Sequence, residues 1–468
     1  MAKQHANQAK QNINYREKLR EVLRKKDARV HFCGIGGVSM YSLATLSLEL
    51  GFHVTGSDRY HGDRVHSLVM RGVEVSTDHA SNNVAGADVF VYTHAIGEKN
   101  PELVAARDLG ILTVSRAEYL GYLMTRYKTR IGVSGSHGKS TTTAMLDRIF
   151  THAKTEPTVL SGASLEWGEP FRLGGEEILV YEACEYKDSF LSFSPGVAIA
   201  LNLELDHTDY FADTAALRAS FEKALSKASR FALINSDDEN LKKIINNVKK
   251  KTKVVTFGQN PDADYRYFVT TFAEVGFEFS IYKFGEELAS FKLSVPGIHN
   301  VSNAAAAAIA AIEFGIDIRS VADALALYGG IEGRLELIGE RHGRAVYYDY
   351  AHHPTEIAAS INALKLLTHE PVTVVFKPHT FSRTKSLWEE FRSVLSLADN
   401  LILTDIYPAR EDPIEGVSSR RLAEEIGDMA VFAPDSEVTQ RLDELGRCCI
   451  VLMGAGNLDA IRYDVLNK

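Results

Sequence analysis

The chain has 468 residues, of which 45% are hydrophobic and 24% are charged. This composition is typical of a folded globular protein, and the length predicts two or three domains, because single cores seldom grow beyond about 250 to 300 residues. The formal net charge of -9 argues against a general nucleic-acid-binding protein, which would carry a basic surface. Uninterrupted apolar runs fall well short of the ~20 residues that span a bilayer, so no membrane segment is expected.

The basic N-terminal segment lacks the apolar stretch of a secretory signal, and Glu17 and Glu21 interrupt its positive charge. We interpret residues 3–26 as an exposed leader helix. The four cysteines show neither disulfide nor zinc-ligand spacing, and only Cys448 and Cys449 are adjacent. Buried thiols in a reducing compartment are the simpler interpretation, which favours a cytoplasmic protein.

Alternating strands and helices are predicted along the whole chain. In the first domain we expect strands at 29–33, 52–57, 73–75 and 88–92, with helices at 39–50 and 62–71. The alternation starts again at 130–134 and continues with strands at 178–182, 197–201, 231–235 and 253–257, an antiparallel excursion at 268–284 and an alanine-rich helix at 301–314. After a glycine-containing hinge at 329–333, further strands are expected at 345–349, 372–376, 400–404 and 449–453. This order predicts parallel sheets with crossover helices.

The first glycine-rich loop follows the first strand. Its glycines, Gly34, Gly36 and Gly37, let the backbone approach a ligand closely and direct helix N-terminal amides at negative charge. Ser39, however, stands where the third glycine of the dinucleotide pattern would be. Asp58, at the end of the second strand, suits a ribose or a base edge. A tight turn without any ligand is the alternative.

The second glycine-rich loop is the stronger signal. Its backbone amides can surround phosphate oxygens, Lys139 can neutralise phosphate charge, and a hydroxyl of Ser140 or Thr141 can bind Mg²⁺. Strict Walker spacing is missed, because Val133 rather than glycine lies five residues before Gly138. The combination of strand, glycine turn, Lys-Ser-Thr and helix nevertheless predicts an ATP site that comprises Gly135, Ser136, His137, Gly138, Lys139, Ser140 and Thr141.

Two further side chains follow predicted strands of the second domain. Glu182 ends one apolar strand, and His207 lies shortly after another. The carboxyl ends of parallel strands are where such sheets deliver ligand-binding residues. A carboxylate is a natural Mg²⁺ ligand, whereas a lone histidine is more often a hydrogen-bonded structural residue.

Taken together, these motifs resemble those of the Mur ligase family over nearly the whole chain. The resemblance rests on Gly-Ser-His-Gly-Lys-Ser-Thr at 135–141, Glu-Ala-Cys-Glu at 182–185, Asn202 with Asp206-His207, His299-Asn300 with Asn303, Arg334, and Asp349-Tyr350-Ala351-His352. The N-terminal Gly-Ile-Gly-Gly and the segments 379–384 and 407–411 resemble the branch that adds L-alanine.

The resemblance implies an α/β fold of three domains. These are a Rossmann-like UDP-sugar-binding domain at 1–127, which includes the leader helix, a P-loop ATPase-type domain with a parallel or mixed sheet at 128–328, and a Rossmann-like amino-acid-binding domain at 329–468. It also implies a cytoplasmic ATP-dependent ligase of peptidoglycan synthesis that joins L-alanine to the carboxylate of UDP-N-acetylmuramate through an acyl phosphate. A monomer and a homodimer are both compatible with it.

The resemblance also assigns site residues. UDP-sugar binding would fall to Gly34, Gly36, Gly37, Asp58 and His79, with the Thr93-His94-Ala95 turn nearby. ATP binding would extend to His299, Asn300 and Asn303 at the adenine, and to Arg334 and Asp349 at the phosphates and ribose. Metal binding would use Ser140, Thr141, Glu182 and His207. Catalysis would use Lys139, His207, His352 and Arg383, with Arg383 on the alanine carboxylate.

Some questions stay open at this stage. His352 or His353 could accept the amine proton or only position the amine. Lys187 cannot be matched to the carbamylated lysine of sister ligases, Cys184-Glu185-Tyr186 replaces a more acidic run, and Ala351 replaces a common glycine. The alternatives are a murein-peptide recycling ligase that couples a tripeptide, a nucleotide-binding sensor without activity, and an NAD-linked dehydrogenase.

Overall fold

The computed structural model describes residues 15–25, 27–207, 210–272, 276–409 and 411–467. The chain divides into two compact units, and each is described by itself. Unit 1 runs to Arg266 and includes Lys283–Gly285 and Ala306–Val321, and unit 2 comprises Tyr267–Tyr282, Glu286–Ala305 and the chain from Ala322 onward. Domain boundaries near residues 128 and 329 remain a prediction.

Unit 1 begins with helix α1 over residues 15–22. Tyr15, Leu19 and Leu23 are buried on one side, while Glu17 and Lys18 are exposed. The expected leader helix is therefore confirmed for these residues but is exposed on only one face, and the rest of the predicted segment, 3–14 and 26, lies outside the described residues.

The N-terminal sheet of unit 1 has five parallel strands. These are β1 (Arg29–Cys33), β2 (His53–Ser57), β3 (Glu74–Ser76), β4 (Val89–Tyr92) and β5 (Leu112–Ser115), and the intervening helices are α2 (Val38–Glu49), α3 (Asp63–Met70), α4 (Pro101–Asp108) and α5 (Arg116–Leu123). The strand order is β3-β2-β1-β4-β5. Because the order reverses beside β1, the loop after β1 lies at a topological switch point, where ligands bind in such sheets.

A second sheet in unit 1 carries the other glycine-rich loop. Its strands are β6 (Thr129–Ser134), β7 (Thr158–Leu160), β8 (Phe171–Arg172), β9 (Ile178–Glu182), β10 (Val197–Ala200), β11 (Phe231–Asn235) and β12 (Val254–Gly258), and its helices are α6 (Lys139–His152), α7 (Thr214–Leu225), α8 (Glu239–Lys242) and α9 (Ile245–Lys249). The order within the unit is β12-β11-β10-β6-β9-β7-β8, with β8 antiparallel to β7. The central β6 therefore lies between β10 and β9, whose carboxyl ends flank its own.

The chain then forms β13 (Tyr265–Phe272), β14 (Phe277–Lys283), β15 (Glu286–Leu293), α10 (His299–Phe314) and α11 (Ile318–Ala326). The C-terminal sheet of unit 2 contains β16 (Glu336–Arg341), β17 (Arg344–Asp349), β18 (Val372–Phe376), β19 (Asn400–Leu403), β20 (Ala430–Phe432) and β21 (Cys449–Met453). Its order is β16-β17-β21-β18-β19-β20, and only β16 is antiparallel to its neighbour. Its helices are α12 (Pro354–Thr368), α13 (Phe381–Ser386), α14 (Trp388–Leu395), α15 (Ser419–Ile426), α16 (Val438–Asp443) and α17 (Asp459–Asn467).

Two expectations from composition can be compared with this fold. All four cysteines are free thiols, and Cys33, Cys448 and Cys449 are buried as expected, whereas Cys184 is only partly buried. Among the described residues, no helix is both long enough and apolar enough to cross a bilayer.

Candidate functional site

The loop between β6 and α6 places Lys139 at the first position of α6. Gly135 and Gly138 have φ angles of 150° and 81°, which favour glycine because a Cβ would be strained there. The following segment braces the loop: Asn202 Oδ1 accepts the His137 N–H at 2.8 Å, and Ser136 Oγ donates to the Glu204 carbonyl at 2.8 Å. The loop is therefore held in shape by the segment that follows β10, as well as by β6 and α6, which it connects.

The side chain of Lys139 turns back from α6 into this loop and is largely buried. Its Nζ donates to the carbonyls of Gly135 and Ser136 at 2.5 and 3.1 Å, and to both carboxylate oxygens of Glu185 at 3.2 Å. Burial lowers the pKa of Lys139, but the charges of Glu185 and Glu182 raise it by more, so that the net pKa is above its ordinary value. Lys139 is therefore a permanent cation at the place where the motif predicts phosphate.

Glu182 ends β9 directly beside β6, where it is in register with Val133. Its Oε1 accepts the Gly162 N–H at 2.5 Å and the Ser161 hydroxyl at 3.1 Å. The predicted metal ligand thus lies at the carboxyl edge of the sheet, as the sequence indicated. Ser140 and Thr141 occupy the first turn of α6 next to Lys139.

His207 reaches the same region of unit 1. Its Nε2 lies 3.7 Å from Glu185 Oε1, and its ring packs against Tyr186 with centroids 4.6 Å apart. His207, Lys187 and Asp188 all have φ near 50–57° although none is glycine. Such backbone strain concentrates at functional sites, because the surrounding fold must stabilise it.

Sequence reasoning assigned no role to Glu185, although it is the acid that joins Lys139 to His207. The side chain of Glu185 is only 2% exposed. The signal was available, because Glu185 is the second acid of the Glu-Ala-Cys-Glu motif that also contains Glu182. Which of the two acids contacts the lysine depends on the path of the chain after β9.

The first glycine-rich loop has the geometry of a backbone ligand site. A Cβ on Gly34, whose φ is +84°, would lie 2.9 Å from Thr93 Cγ2. Asp58 Oδ2 accepts the Gly36 N–H at 2.8 Å, and Asp58 Oδ1 accepts the Tyr60 N–H at 2.9 Å. Asp58 therefore holds the loop through Oδ2, while Oδ1 stabilises the turn that follows β2.

Positive charge lies near the turn that follows β4. Burial, followed by the nearby charges of Lys187 and Arg116, lowers the pKa of His94 in this turn. Lys187 belongs to the same segment as Glu185, so the surroundings of the first loop and of the second approach each other within unit 1. No role was assigned to Arg116 or Lys187 from the sequence.

His79 points inward from the segment after β3. Its Nδ1 lies 2.9 Å from Ser57 Oγ and 3.4 Å from Glu102 Oε2. Burial raises the pKa of Glu102, but surrounding donors, including the Ser57 hydroxyl and the Asn83 amide, lower it by more, to about 2. An ionised carboxylate therefore lies beneath the first loop.

The predicted adenine residues lie at the start of α10 in unit 2. Asn303 Nδ2 donates to Asn300 Oδ1 at 3.1 Å, and Asn300 Nδ2 donates to the Pro296 carbonyl at 2.7 Å. His299 is exposed at the first residue of the helix. The side chains of Asn300 and Asn303 are thus adjacent.

Asp349 ends β17 and is buried. Its carboxylate accepts hydrogen bonds from the Ser360 hydroxyl and from the Ala351 N–H. Burial raises the pKa of Asp349 to about 6, although Ser360 and the Arg334 charge oppose this. The Arg334 guanidinium lies 5.6 Å from the centroid of the Tyr350 ring.

Asp349→Asn is expected to change how stability depends on pH. Because the folded pKa lies above the ordinary 3.8, the contribution of this carboxyl to stability is full below about pH 4 and is lost as the pH rises through about 6. The free energy of unfolding of the wild type relative to the asparagine variant should therefore fall by about 3 kcal/mol over this range, at about 1.4 kcal/mol per pKa unit. Urea titrations at several pH values measure the two free energies of unfolding. A difference between them that did not depend on pH would contradict the burial of an ionisable group at this position.

The two neighbouring histidines of unit 2 differ in their surroundings. His352 Nδ1 lies 3.0 Å from the Tyr350 carbonyl, which can only accept, so Nδ1 carries the proton and leaves the Nε2 lone pair as an acceptor in the neutral ring. His353 is buried at the N-cap of α12, in a capping box with Glu356. Of the two, His352 is the more exposed, and its tautomer is suitable for accepting a proton at Nε2.

Arg383 lies in α13. Around it, the segments 379–384 and 407–411, which resemble the alanine-adding branch, contact each other. An Arg383 guanidinium N–H donates to His379 Nδ1 at 3.3 Å, and the His379 ring stacks on Tyr407 with centroids 5.7 Å apart. The Thr380 N–H donates to the Tyr407 carbonyl, and the Ser382 N–H donates to Glu411, both at 2.8 Å. Arg410 of the second segment lies outside the described residues.

Comparisons with known proteins place this geometry in a family. Three family models match in order: "Mur ligase family, catalytic domain" at residues 29–128, "Mur ligase middle domain" at 133–311, and "Mur ligase, glutamate ligase domain" at 333–457. A curated UDP-N-acetylmuramate–L-alanine ligase from Caldicellulosiruptor saccharolyticus is 41% identical over 93% of this chain and 97% of its own. The chain belongs to the Mur ligase family.

Other Mur ligases support the same assignment. A UDP-N-acetylmuramate–L-alanine ligase from Clostridium novyi is 40% identical over 87% of this chain and 89% of its own. The crystal structure of UDP-N-acetylmuramate-alanine ligase from Thermotoga maritima matches with a TM-score of 0.80 at 26% identity, and covers 93% of this chain and 98% of that one. A murein peptide ligase from Psychrobacter arcticus shares the fold, with a TM-score of 0.70 at 22% identity over 94% of this chain and 98% of that one. The predicted three-domain α/β architecture of the Mur ligases is therefore confirmed.

Proposed function

We propose that this Mur ligase joins L-alanine to the carboxylate of UDP-N-acetylmuramate, with ATP converted to ADP and phosphate, in peptidoglycan synthesis. The observation that carries the proposal is the cluster of Lys139, Glu185, Glu182 and His207 at the carboxyl edge of the second sheet, in a chain 41% identical to a curated alanine ligase. The dehydrogenase alternative fails, because it leaves the second loop unexplained. We place the enzyme in the cytoplasm, as a monomer or a homodimer.

In the proposed reaction the muramyl carboxylate attacks the γ-phosphorus of ATP, ADP leaves, and an acyl phosphate forms. The alanine amine then attacks the acyl carbon, and inorganic phosphate leaves. The first step brings two anions together, so positive charge at the phosphoryl group is the main requirement. Lys139 supplies it by exchanging its contacts with the loop carbonyls for phosphate oxygens.

The donor set of the cluster suits Mg²⁺. Glu182 offers carboxylate oxygens, Ser140 and Thr141 offer hydroxyls, and these oxygens are the ligands that the ion prefers. These residues and His207 would hold the metal, which supplies countercharge to the phosphates when bound.

We assign the remaining residues to three ligands. Gly34, Gly36, Gly37, Asp58 and His79 in residues 1–127 form or support the UDP-sugar loop, with the Lys187 and Arg116 charges nearby. His299, Asn300 and Asn303 are assigned to the adenine of ATP, and Arg334 and Asp349 to its phosphates and ribose. In residues 329–468, Arg383 binds the alanine carboxylate, and the Nε2 lone pair of His352 accepts the amine proton.

Gly34→Ala is expected to raise the KM for UDP-N-acetylmuramate about tenfold or more, because the new methyl group would displace the loop against Thr93. Gly72→Ala is the matched control, since Gly72 has a φ of +87° but nothing within 4 Å of the added Cβ. Both variants pay a similar backbone strain of about 1 kcal/mol. Steady-state kinetics would contradict the loop assignment if the two variants had the same KM for the sugar nucleotide.

A paired phosphate-release assay tests the function itself. The full chain is given Mg²⁺, ATP and UDP-N-acetylmuramate together with either L-alanine or the tripeptide L-alanyl-γ-D-glutamyl-meso-diaminopimelate. Release that depends on L-alanine is expected. Turnover with the tripeptide alone would replace the proposal with the recycling ligase, and binding of both nucleotides without ADP formation would favour the sensor.

A further inference from the structure

A cluster of four potential metal ligands lies beneath the first glycine-rich loop, away from the proposed Mg²⁺ site. His31 and Cys33 come from β1, His79 follows β3, and Glu102 lies in the first turn of α4. Cys33 and Glu102 are fully buried, His31 is 1% exposed, and the His79 side chain is 9% exposed. We call these four residues the Cys-His-Glu cluster.

Three distances between ligand atoms are those expected of neighbouring ligands in a tetrahedral zinc site. Zn–S bonds of about 2.3 Å and Zn–N or Zn–O bonds of about 2.0–2.1 Å place neighbouring ligand atoms about 3.3–3.6 Å apart. Cys33 Sγ lies 3.6 Å from His79 Nδ1, His79 Nδ1 lies 3.4 Å from Glu102 Oε2, and His31 Nε2 lies 3.6 Å from Glu102 Oε2. Cys33 Sγ, His79 Nδ1 and Glu102 Oε2 all lie within 4.8 Å of one another. His31 Nε2 is outside this group of three and adjoins it through Glu102, so it has to move closer to become the fourth ligand.

His31 is held with its Nε2 atom turned toward this cluster. Its Nδ1 lies 2.9 Å from Thr55 Oγ1, and its ring stacks on Phe90 with centroids 5.8 Å apart. Its buried Nε2 has no hydrogen-bond partner among the described residues. A metal-binding histidine is usually held by a hydrogen bond at one ring nitrogen while the other nitrogen binds the ion, and the Thr55 contact leaves Nε2 of His31 for that role.

The carboxylate is oriented and lacks a strong cationic partner. Glu102 accepts hydrogen bonds of 2.6 Å from the Ser57 hydroxyl and the Asn83 amide, one on each oxygen. Its ion pairs among the described residues are with His31 and His79 only. Burying a carboxylate is costly without countercharge, which a divalent ion would supply.

We propose that His31, Cys33, His79 and Glu102 bind one Zn²⁺ ion. A thiolate and two imidazoles favour zinc over magnesium, since Mg²⁺ prefers oxygen ligands. The bonds formed are from zinc to Sγ, the two imidazole nitrogens and Oε2, and the Cys33 thiol loses its proton to solvent. His79 Nδ1 gives up its contact with Ser57 Oγ to bind the ion, and the imidazole proton is then on Nε2. The ion links the ends of β1 and α4 with the segment after β3, directly before Gly34, and so stabilises the base of the loop.

Zinc content and cobalt substitution test this site in the full-length protein. After removal of metals with a chelator, the protein is supplied with Zn²⁺ or Co²⁺ in excess Mg²⁺, and bound metal is measured after gel filtration. About one zinc per chain and a thiolate-to-cobalt charge-transfer band are expected. Cys33→Ala should abolish the band and weaken zinc binding at least tenfold, whereas Cys448→Ala, which removes another buried thiol, should change neither.

His31→Gln provides a second variant that keeps the thiol. It should retain some thiolate-to-cobalt absorption with at least tenfold weaker zinc binding, and circular dichroism shows whether each variant is folded. A wild-type protein without zinc or without the cobalt band would overturn the proposal, whatever the variants do. Equal zinc binding by the wild type and Cys33→Ala would also overturn it, because the ion would then lie elsewhere.

Discussion

Lys139→Ala is expected to lower the rate of ADP formation by about 10³-fold or more, because the phosphoryl group loses a positioned countercharge. Lys139 is the cation that the second loop surrounds, and its Nζ already contacts two loop carbonyls whose place phosphate oxygens can take. The measurement is the initial rate of ADP release with saturating UDP-N-acetylmuramate and L-alanine. Lys128→Ala is the control, since this lysine precedes the same strand but is exposed and pairs with Glu177.

Loss of folding must be separated from loss of catalysis in this variant. Removal of Lys139 leaves Glu185 buried without its main counter-ion, and such an unpaired charge costs about 3–5 kcal/mol. The double variant Lys139→Ala/Glu185→Gln removes that charge and should recover stability without activity. Near-normal turnover by either variant would contradict the assignment of Lys139 to the phosphates.

Arg383→Ala is expected to raise the KM for L-alanine about 100-fold while changing the KM for ATP less than twofold. A guanidinium can hold a carboxylate through two charge-assisted hydrogen bonds, each worth about 1.5–3 kcal/mol. Arg383→Lys keeps the charge but loses the planar fork, so an intermediate KM is expected.

Arg392→Ala is the matched control for Arg383, because Arg392 lies in the next helix and pairs with Glu389 and Glu425 on the surface. Titration of alanine at saturating ATP and UDP-N-acetylmuramate gives the KM of each variant. If alanine use by Arg383→Ala stayed normal, the carboxylate would have to bind elsewhere, and the choice of L-alanine as substrate would lose its main support in this chain.

The fold could be predicted best where strands are continuous apolar runs. β9, β11, β18 and β21 have the predicted bounds, because buried parallel strands appear in the sequence as largely hydrophobic segments. The short edge strands β5, β8 and β20 and the edge strand β16 were not predicted. They carry too few apolar residues for a periodic signal, and their pairing depends on a neighbouring strand that already exists.

The candidate site also has a part that could be predicted from the sequence and a part that could not. The second loop was predicted from seven adjacent residues, since strand, glycine turn and helix start are local features, and the Mur ligase resemblance joined distant motifs into one function. The adjacency of β6 and β9, which brings Glu185 to Lys139, follows from sheet order. No local spacing gives that order, because β7 and β8 intervene in the chain.

The sequence by itself determined the family and the two glycine-rich loops and predicted the chemistry of phosphoryl transfer, because those depend on residue types at fixed local spacing. Only the tertiary structure decided which side chains meet. It assigned the Nδ1 proton of His352, and it brought Cys33 next to His79 and Glu102. Cysteine spacing had shown no zinc site, for the physical reason that the ligands come from three separate segments that only the parallel sheet and its crossover helix bring within a few ångströms.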